Sequence, residues 1–202
     1  MEQSPKTHVL LVGGSPRAGG NTETLLKEMA AGIEAAGVGT TLVMLRSYTI
    51  HSCDGCERCR RDETCTRFYD GMHLLYPLIE KARGLVLGSP TYNYNITPEM
   101  KSFIDRCYPY FDFSEQRPGP YRSRLAGQGR KMVSLGVCEQ QDEHEMRLVI
   151  PALSDPLTAM GYEVVEEVAV TGHFPKGAVK GDEEALERAR RAGAHLAEAL
   201  TA

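Results

Sequence analysis

Val9–Leu26 reads VLLVGGSPRAGGNTETLL, and this stretch decides the fold. Val9, Leu10, Leu11 and Val12 form a short continuous apolar run, the pattern of a central parallel strand covered on both faces. Gly13 and Gly14 end it, and Ser15–Thr22 supply small hydrogen-bonding residues. Leu25, Leu26, Met29, Ala30 and Ile33 then recur at helical spacing. A strand feeding a helix through such a loop suits one phosphate. The helix start leaves backbone N–H groups unpaired at the positive end of the dipole. Ser15, Asn21 and Thr22 add donors, and Arg17 adds charge. An ordinary strand-to-helix turn is the plainer alternative. Neither G-x-G-x-x-G nor a G-K-[ST] ending is present, which argues against a dinucleotide fold of the Rossmann type and against an NTPase.

Working outward, strand and helix patterns alternate five times. Thr40–Leu45, Gly84–Gly88, Lys131–Val137 and Tyr162–Val170 read as further strands. Helices are expected over Met72–Ala82, from Thr97-Pro98-Glu99 onward, over Asp142–Met160 and over Asp182–Leu200. Pro77, Pro151 and Pro156 are expected to bend or break theirs. Asp112–Gly129 reads as a long loop without periodicity. The alternation implies a doubly wound α/β domain with a five-stranded parallel sheet, order 2-1-3-4-5, and helices on both faces. The 202 residues suit one such domain, with a cysteine-rich loop at about 47–69.

In that topology ligands bind beyond the strand ends where strands 1 and 3 diverge. The loop after strand 3 reads SPTYNYNI, Ser89–Ile96. Pro90, Thr91, Tyr92 and Asn93 offer an aromatic contact and hydrogen bonds of the kind a flat heteroaromatic ring needs. If extended, the segment points Tyr92 and Tyr94 the same way. Packing of these tyrosines against the sheet or a partner subunit is the alternative. Cys138, after strand 4, is a weaker candidate for contact with the same ligand.

His51–Cys65 reads HSCDGCERCRRDETC, placing Cys53, Cys56, Cys59 and Cys65 at C-x2-C-x2-C-x5-C spacing. Four thiolates suit a [4Fe–4S] cluster or a tetrahedral zinc, with Arg58, Arg60, Arg61 and Arg67 to offset charge. Two short intervals in succession look more like ferredoxin ligation than zinc-finger pairs. Free or structural thiols, or a redox disulfide, remain open. The loop follows strand 2 and is expected on the ligand side of the sheet. Cys107 lies on a helical apolar face and reads as core.

Composition narrows the class. Apolar content of 42% and charged content of 25% are those of a soluble globular protein, and a net charge of −4 with no basic run argues against nucleic-acid binding. No apolar run approaches a membrane span, and the first residues lack a signal-peptide pattern, so a reducing cytoplasmic setting is expected. His51, His73, His144 and His173 are scattered, without a metal-site spacing. Arg117, Arg122, Arg124, Arg130 and Lys131, in or just after the long loop, are candidates for receiving the phosphates of a nicotinamide donor; a solvated, mobile loop is the equally good alternative.

GGSPRAGGNTETLL resembles the G-S-P-R-x-x-G-N-T-x-x-L-L signature of the flavodoxin-like NADPH-dependent FMN reductases and iron-sulfur flavoproteins. S-P-x-Y at Ser89–Tyr92 and all four loop cysteines agree with it, although similar cysteine patterns occur in reductases not known to carry a cluster. The resemblance implies FMN, with its phosphate at Ser15, Arg17, Asn21 and Thr22 and its ring at Pro90, Thr91, Tyr92 and Asn93. It also implies a cluster at Cys53, Cys56, Cys59 and Cys65, and a homodimer or homotetramer. Electrons would pass from NAD(P)H or a ferredoxin-like carrier through the flavin to a quinone, flavin or iron-sulfur acceptor, with no side-chain acid or base required. The competing readings are a non-enzymatic FMN and [4Fe–4S] carrier or redox sensor, and a structural zinc protein without flavin.

Overall fold

A computed structural model describes residues 7–202. In chain order it holds β1 (His8–Gly13), α1 (Asn21–Ala35), β2 (Gly39–Met44), α2 (Cys59–Asp62), α3 (Met72–Lys81) and β3 (Gly84–Pro90). There follow α4 (Pro98–Asp105), β4 (Phe111–Phe113), β5 (Tyr121–Ser123), β6 (Arg130–Val137), α5 (Val149–Ala159), β7 (Tyr162–Val170) and α6 (Glu183–Thr201). The large sheet has the order β2-β1-β3-β6-β7 with every pairing parallel. This is the expected 2-1-3-4-5 arrangement, renumbered because β4 and β5 form a separate antiparallel hairpin.

Each central strand is apolar on both faces because each face has its own core. Leu10, Val12, Leu85 and Leu87 join Met72, Leu75, Phe103 and Leu153 on the side of α3, α4 and α5. Val9, Leu11, Val86 and Val133 join Leu25, Met29, Ala189 and Leu196 on the side of α1 and α6. Alternation at period two sends successive residues to opposite cores. The outer strand β7 instead exposes Glu163 and Val164 and carries Glu166 and Glu167, a charged edge that discourages strand addition.

α1 and α6 cross with their backbones in contact. A Cβ on Gly32 would lie 2.0 Å from Arg190 O, and one on Gly193 would lie 2.1 Å from Met29 O. α6 starts where Asp182 accepts a hydrogen bond from Ala185 N at 3.0 Å, a side-chain cap.

Three expectations need correction. The helix expected over Asp142–Met160 is a short 3-10 turn at Glu143–Met146 followed by α5. Pro151 falls in the first turn of α5, where a missing N–H costs nothing. The long loop expected over Asp112–Gly129 instead holds most of the β4–β5 hairpin, whose three-residue strands are too short to show a period. Its stability comes from the aromatic face of Phe111, Phe113, Tyr121 and Tyr108, with Phe113 stacked on Tyr108 at 4.9 Å. Arg130 and Lys131 lie at the opposite end of the sheet from the strand-1 loop. Arg130 is buried and donates to Ile79 O, Ala82 O and Glu80 O, closing the C-terminus of α3. No described helix is long and apolar enough to cross a membrane.

Candidate functional site

The loops after β1, β3, β6 and β7 meet in one crevice at the C-terminal edge of the sheet. It is lined by Ser15, Arg17, Asn21, Thr22, Pro90, Thr91, Tyr92, Val137, Glu139, His173, Phe174 and Lys176. Of the eight residues expected around a flavin, seven line this crevice and Asn93 does not.

The β1 loop is fixed by its neighbours. Gly14 N donates to Gly88 O at 2.8 Å, and Thr97 Oγ1 donates to Gly14 O at 2.9 Å. A Cβ on Gly14 would stand 2.8 Å from that hydroxyl oxygen, so the close approach requires glycine. Ser15 Oγ accepts from Arg17 N at 3.3 Å, which leaves its own proton to donate. The first intrahelical bond of α1 is Thr24 N to Gly20 O. The amides of Asn21 and Thr22 are therefore available at the positive end of the helix.

Glu23 holds the far side of the loop. It accepts from Gly19 N at 2.8 Å and pairs with Lys27 at 2.8 Å and Arg46 at 2.7 Å. The hydrogen bond from Lys27, together with the Gly19 amide and Arg46, outweighs burial and lowers its pKa to about 2. Asn21 has a different task from the one its sequence position suggests. Its Nδ2 donates to His173 O at 3.0 Å and Pro175 O at 3.1 Å, while its Oδ1 accepts from Val179 N at 3.2 Å. The side chain ties α1 to the segment after β7. Arg17 does likewise, donating to Phe174 O at 3.0 Å with its guanidinium 5.0 Å from the Phe174 ring centroid.

The β3 loop is a tight turn, not an extended segment. Tyr92 N donates to Asn95 O at 2.8 Å and Asn95 N to Tyr92 O at 3.0 Å. Asn93 and Tyr94 between them have φ of 47° and 66°, the two left-handed positions that a reversed turn demands. The turn sends Tyr92 to the crevice and puts the Tyr94 ring 5.4 Å from the Arg147 guanidinium carbon. The amides of Thr91, Tyr92, Asn95 and Ile96 are spent internally, whereas those of Asn93 and Tyr94 take no part in these bonds. Thr91 Oγ1 is buried in the crevice wall without a hydrogen-bond partner. Cys138 is buried, and its neighbours Val137 and Glu139 line the crevice instead.

A second cavity, of about 180 Å³, is lined by Cys53, Cys56, Cys59 and Cys65, with Arg58, Arg67, Phe68 and Arg106 among its other walls. The loop, expected on the ligand side of the sheet, runs alongside α4, where Ser52 Oγ lies 3.1 Å from Ser102 Oγ, and reaches the C-terminal end of that helix. α4 begins at Thr97, which is bonded to Gly14, and ends at Arg106 on the cavity wall. Its eight residues span roughly 12 Å. Burial pushes the Cys59 thiol up to about 11, and the nearby Cys65, Cys53 and Cys56 thiols act in the same direction. Among the described residues no three Cys, His, Asp or Glu side chains converge on a single metal position.

The loop ends are pinned by a buried ion pair. Arg106 and Asp70 have side chains only 2% and 3% exposed and are 2.8 Å apart. Arg106 also donates to His51 O at 2.8 Å and Phe68 O at 3.4 Å. Burial works to raise the Asp70 carboxyl, but Arg106 and the amides of His51 and Met72 hold it well below the usual carboxylate range. The hairpin closes over the outside of the loop: Arg117 pairs with Glu57, Arg124 with Glu63, and Arg60 packs against the Phe113 ring. Arg117 and Arg124 are thus occupied by the cysteine loop, and neither lines the crevice, nor does Arg122.

A family model described as NADPH-dependent FMN reductase matches residues 7–133. The chain belongs to this family. Among its relatives, an iron-sulfur flavoprotein of Archaeoglobus fulgidus is 32% identical over 189 residues, covering 93% of this chain and 77% of the relative. Another, from Methanocaldococcus jannaschii, is 27% identical over 199 residues, covering 95% and 96%. The fold is shared with a solved NAD(P)H:quinone oxidoreductase from Methanothermobacter marburgensis, with a TM-score of 0.73, 20% identity and coverage of 95% and 99%. Membership assigns the chain to the FMN-dependent oxidoreductases. His173, which the sequence offers only as one of several scattered histidines, and Phe174 and Lys176, which carry no motif, join the crevice through contacts more than 150 residues apart in sequence.

Proposed function

We propose that the crevice holds FMN and that the chain is a flavin oxidoreductase taking electrons from NAD(P)H or a reduced carrier and passing them to a small-molecule or protein acceptor. The observation that carries this reading is the buried, unpartnered Thr91 hydroxyl in the wall of a crevice whose other end is the open first turn of α1. A buried hydroxyl without a partner is costly, and a bound heterocycle satisfies it. The phosphate lies against the amides of Asn21 and Thr22 and the hydroxyls of Ser15 and Thr22, with Arg17 and Lys176 supplying positive charge. Pro90, Tyr92, Val137 and Phe174 give the ring apolar contact, and the amides of Asn93 and Tyr94, at the tip of the turn just beyond that lining, are free to meet its polar edge. Bound FMN supplies hydride and single-electron chemistry. The chain's part is to bind, orient and shield it, and no side chain is required as acid or base.

The same proposal places a [4Fe–4S] cluster among Cys53, Cys56, Cys59 and Cys65. A polynuclear centre needs its thiolates spread around a cavity. Two short C-x2-C intervals in succession, at Cys53, Cys56 and Cys59, favour ferredoxin-like ligation over the well-separated pairs of a zinc finger. The cluster supplies one-electron steps. A reducing cytoplasm keeps these thiols available, and assembly as a dimer or tetramer would cover the exposed rim residues Tyr92 and Phe174.

The test is an anaerobic absorption spectrum of fresh protein with iron and sulfide assayed on the same sample. Flavin bands with four iron and four sulfide per chain are expected. Cys56→Ser should lose the iron and keep the flavin, since Cys56 is exposed and outside the crevice. A colourless protein that takes up no added FMN would overturn the flavin reading. Flavin without iron after anaerobic reconstitution would overturn the cluster. Steady turnover with NAD(P)H and a quinone separates an enzyme from a carrier reduced only by ferredoxin-like proteins.

A further inference from the structure

Arg106 has five N–H donors, and four can be assigned. One Nη1 hydrogen goes to His51 O and the other to Asp70 Oδ2, each at 2.8 Å. Nη2 gives its two to Asp70 Oδ1 at 3.1 Å and Phe68 O at 3.4 Å. The fifth, Nε–H, is buried and has no partner. The same side chain is 2% exposed and forms part of the wall of the cavity that the four cysteines surround. A guanidinium so thoroughly fixed cannot turn its empty donor toward water. A buried N–H is rarely left unpaired unless something absent from the protein alone completes it. The acceptors that a cavity walled by four thiols would bring to it are sulfur anions.

We infer that Arg106 is a positioning residue for the occupant of the cysteine cavity: it clasps both ends of the loop and donates Nε–H to a thiolate or sulfide of the centre bound there. The inference rests on the cluster reading and adds to it a hydrogen bond from one residue outside the ligand set. Two consequences follow. The donated bond favours the more negative, reduced form of the centre, so losing it lowers the reduction potential. The clasp keeps the ligands gathered, so losing it speeds loss of iron. Asp70 fixes the direction of the donor by occupying both Nη groups, a role that lysine, with a single point-like ammonium, cannot fill for Arg106.

The experiment compares reconstituted wild type with Arg106→Lys, which keeps the positive charge and removes Nε–H. The expected result is a more negative midpoint potential and iron retention against a chelator weakened about ten- to a hundredfold, with FMN content unchanged. Unchanged potential and retention in Arg106→Lys would overturn the inference while leaving the cluster reading intact. A wild type that takes up no iron would overturn both. Should Arg106→Lys fail to fold, wild type grown on 15N-arginine decides the matter. The reduced centre should show an arginine 15N hyperfine coupling that persists in Arg58→Lys and Arg67→Lys, whose side chains are exposed. Absence of that coupling, or its loss in either variant, would overturn the assignment.

Discussion

The crevice and the cysteine cavity are held by different means. The crevice is made at the ends of parallel strands, and its loops inherit their positions from the sheet: Gly14 N bonds to Gly88 O and Thr91 N to Val137 O, each extending the pattern of the strands before it. The cysteine cavity belongs to a segment of 16 residues, 52–67, with one short helix and no sheet pairing. Its shape depends on side chains, chiefly Arg106 and Asp70 at the loop ends and the hairpin outside. A site built on backbone survives most single substitutions. A site built on one buried ion pair has a single point of failure.

The sharpest way to break this contrast is Asp70→Asn. Removing one partner of a buried pair typically costs about 3–5 kcal/mol, and here it strands a guanidinium whose side chain is 2% exposed. Chemical denaturation should show a loss in that range. Limited proteolysis should cut within 52–67 while FMN still binds below the unfolding transition. Loss of FMN binding in the folded variant would show that the two regions are not independent.

Next in size is the phosphate end of the crevice. Ser15→Ala with Thr22→Ala removes two hydroxyls from its lining. A hydrogen bond to a charged group contributes about 1.5–3 kcal/mol, so FMN affinity should fall by roughly tenfold or more for each. Riboflavin affinity should change little, because the loss lies at the phosphate. Equal weakening of both ligands would remove the phosphate from this loop. Asn21→Ala is expected to behave differently. It weakens FMN and lowers stability together, because its amide joins α1 to His173 O, Pro175 O and Val179 N.

That difference marks the limit of what the sequence conveyed. The strand order, both cores and the meeting of the first and third strand loops follow from local apolar patterns, and all are present. Periodicity is a local signal. It says nothing of a first-turn amide, that of Asn21, that faces a segment more than 150 residues away, nor of Phe174 and Lys176 arriving in the crevice. It missed a hairpin whose strands have three residues each. Arg106 was legible only as one polar residue beside an apolar stripe, although its burial organises the cysteine loop. The one clue was chemical: a loop with four cysteines and almost no apolar residues needs some other source of order.

A smaller effect tests the electrostatic support of the β1 loop. The folded-state pKa of Glu23 is lowered to about 2, against about 4.3 for a free glutamate. Its contribution is therefore complete above the unfolded value and is lost as pH falls through the folded one. Stability should decline from about pH 5 toward pH 2, and Glu23→Gln should flatten that part of the profile while lowering stability at neutral pH by about 1–2 kcal/mol. An unchanged acid limb in the variant would mean that other carboxylates carry it. The crevice loop would then owe its shape to the sheet alone.

The smallest expected effect concerns strain on the crevice side. Tyr94 has φ of 66°, a conformation that costs an ordinary L-residue about 1–2 kcal/mol. Its ring is half exposed and lies 5.4 Å from the Arg147 guanidinium, a contact that returns about 0.5–1 kcal/mol. Tyr94→Asn removes both. Asparagine tolerates the left-handed region, so the balance is a gain of about 0.5 kcal/mol, readable as a small rise in the unfolding midpoint. Because the turn keeps its shape, the amides of Asn93 and Tyr94 stay where the proposed flavin edge needs them, and FMN affinity should stay within about twofold. A loss of stability would mean that the ring contributes more through its packing on Arg147 than the backbone loses. The strain would then be offset within the loop itself, and the crevice, like the cysteine cavity, would depend on a side-chain clasp.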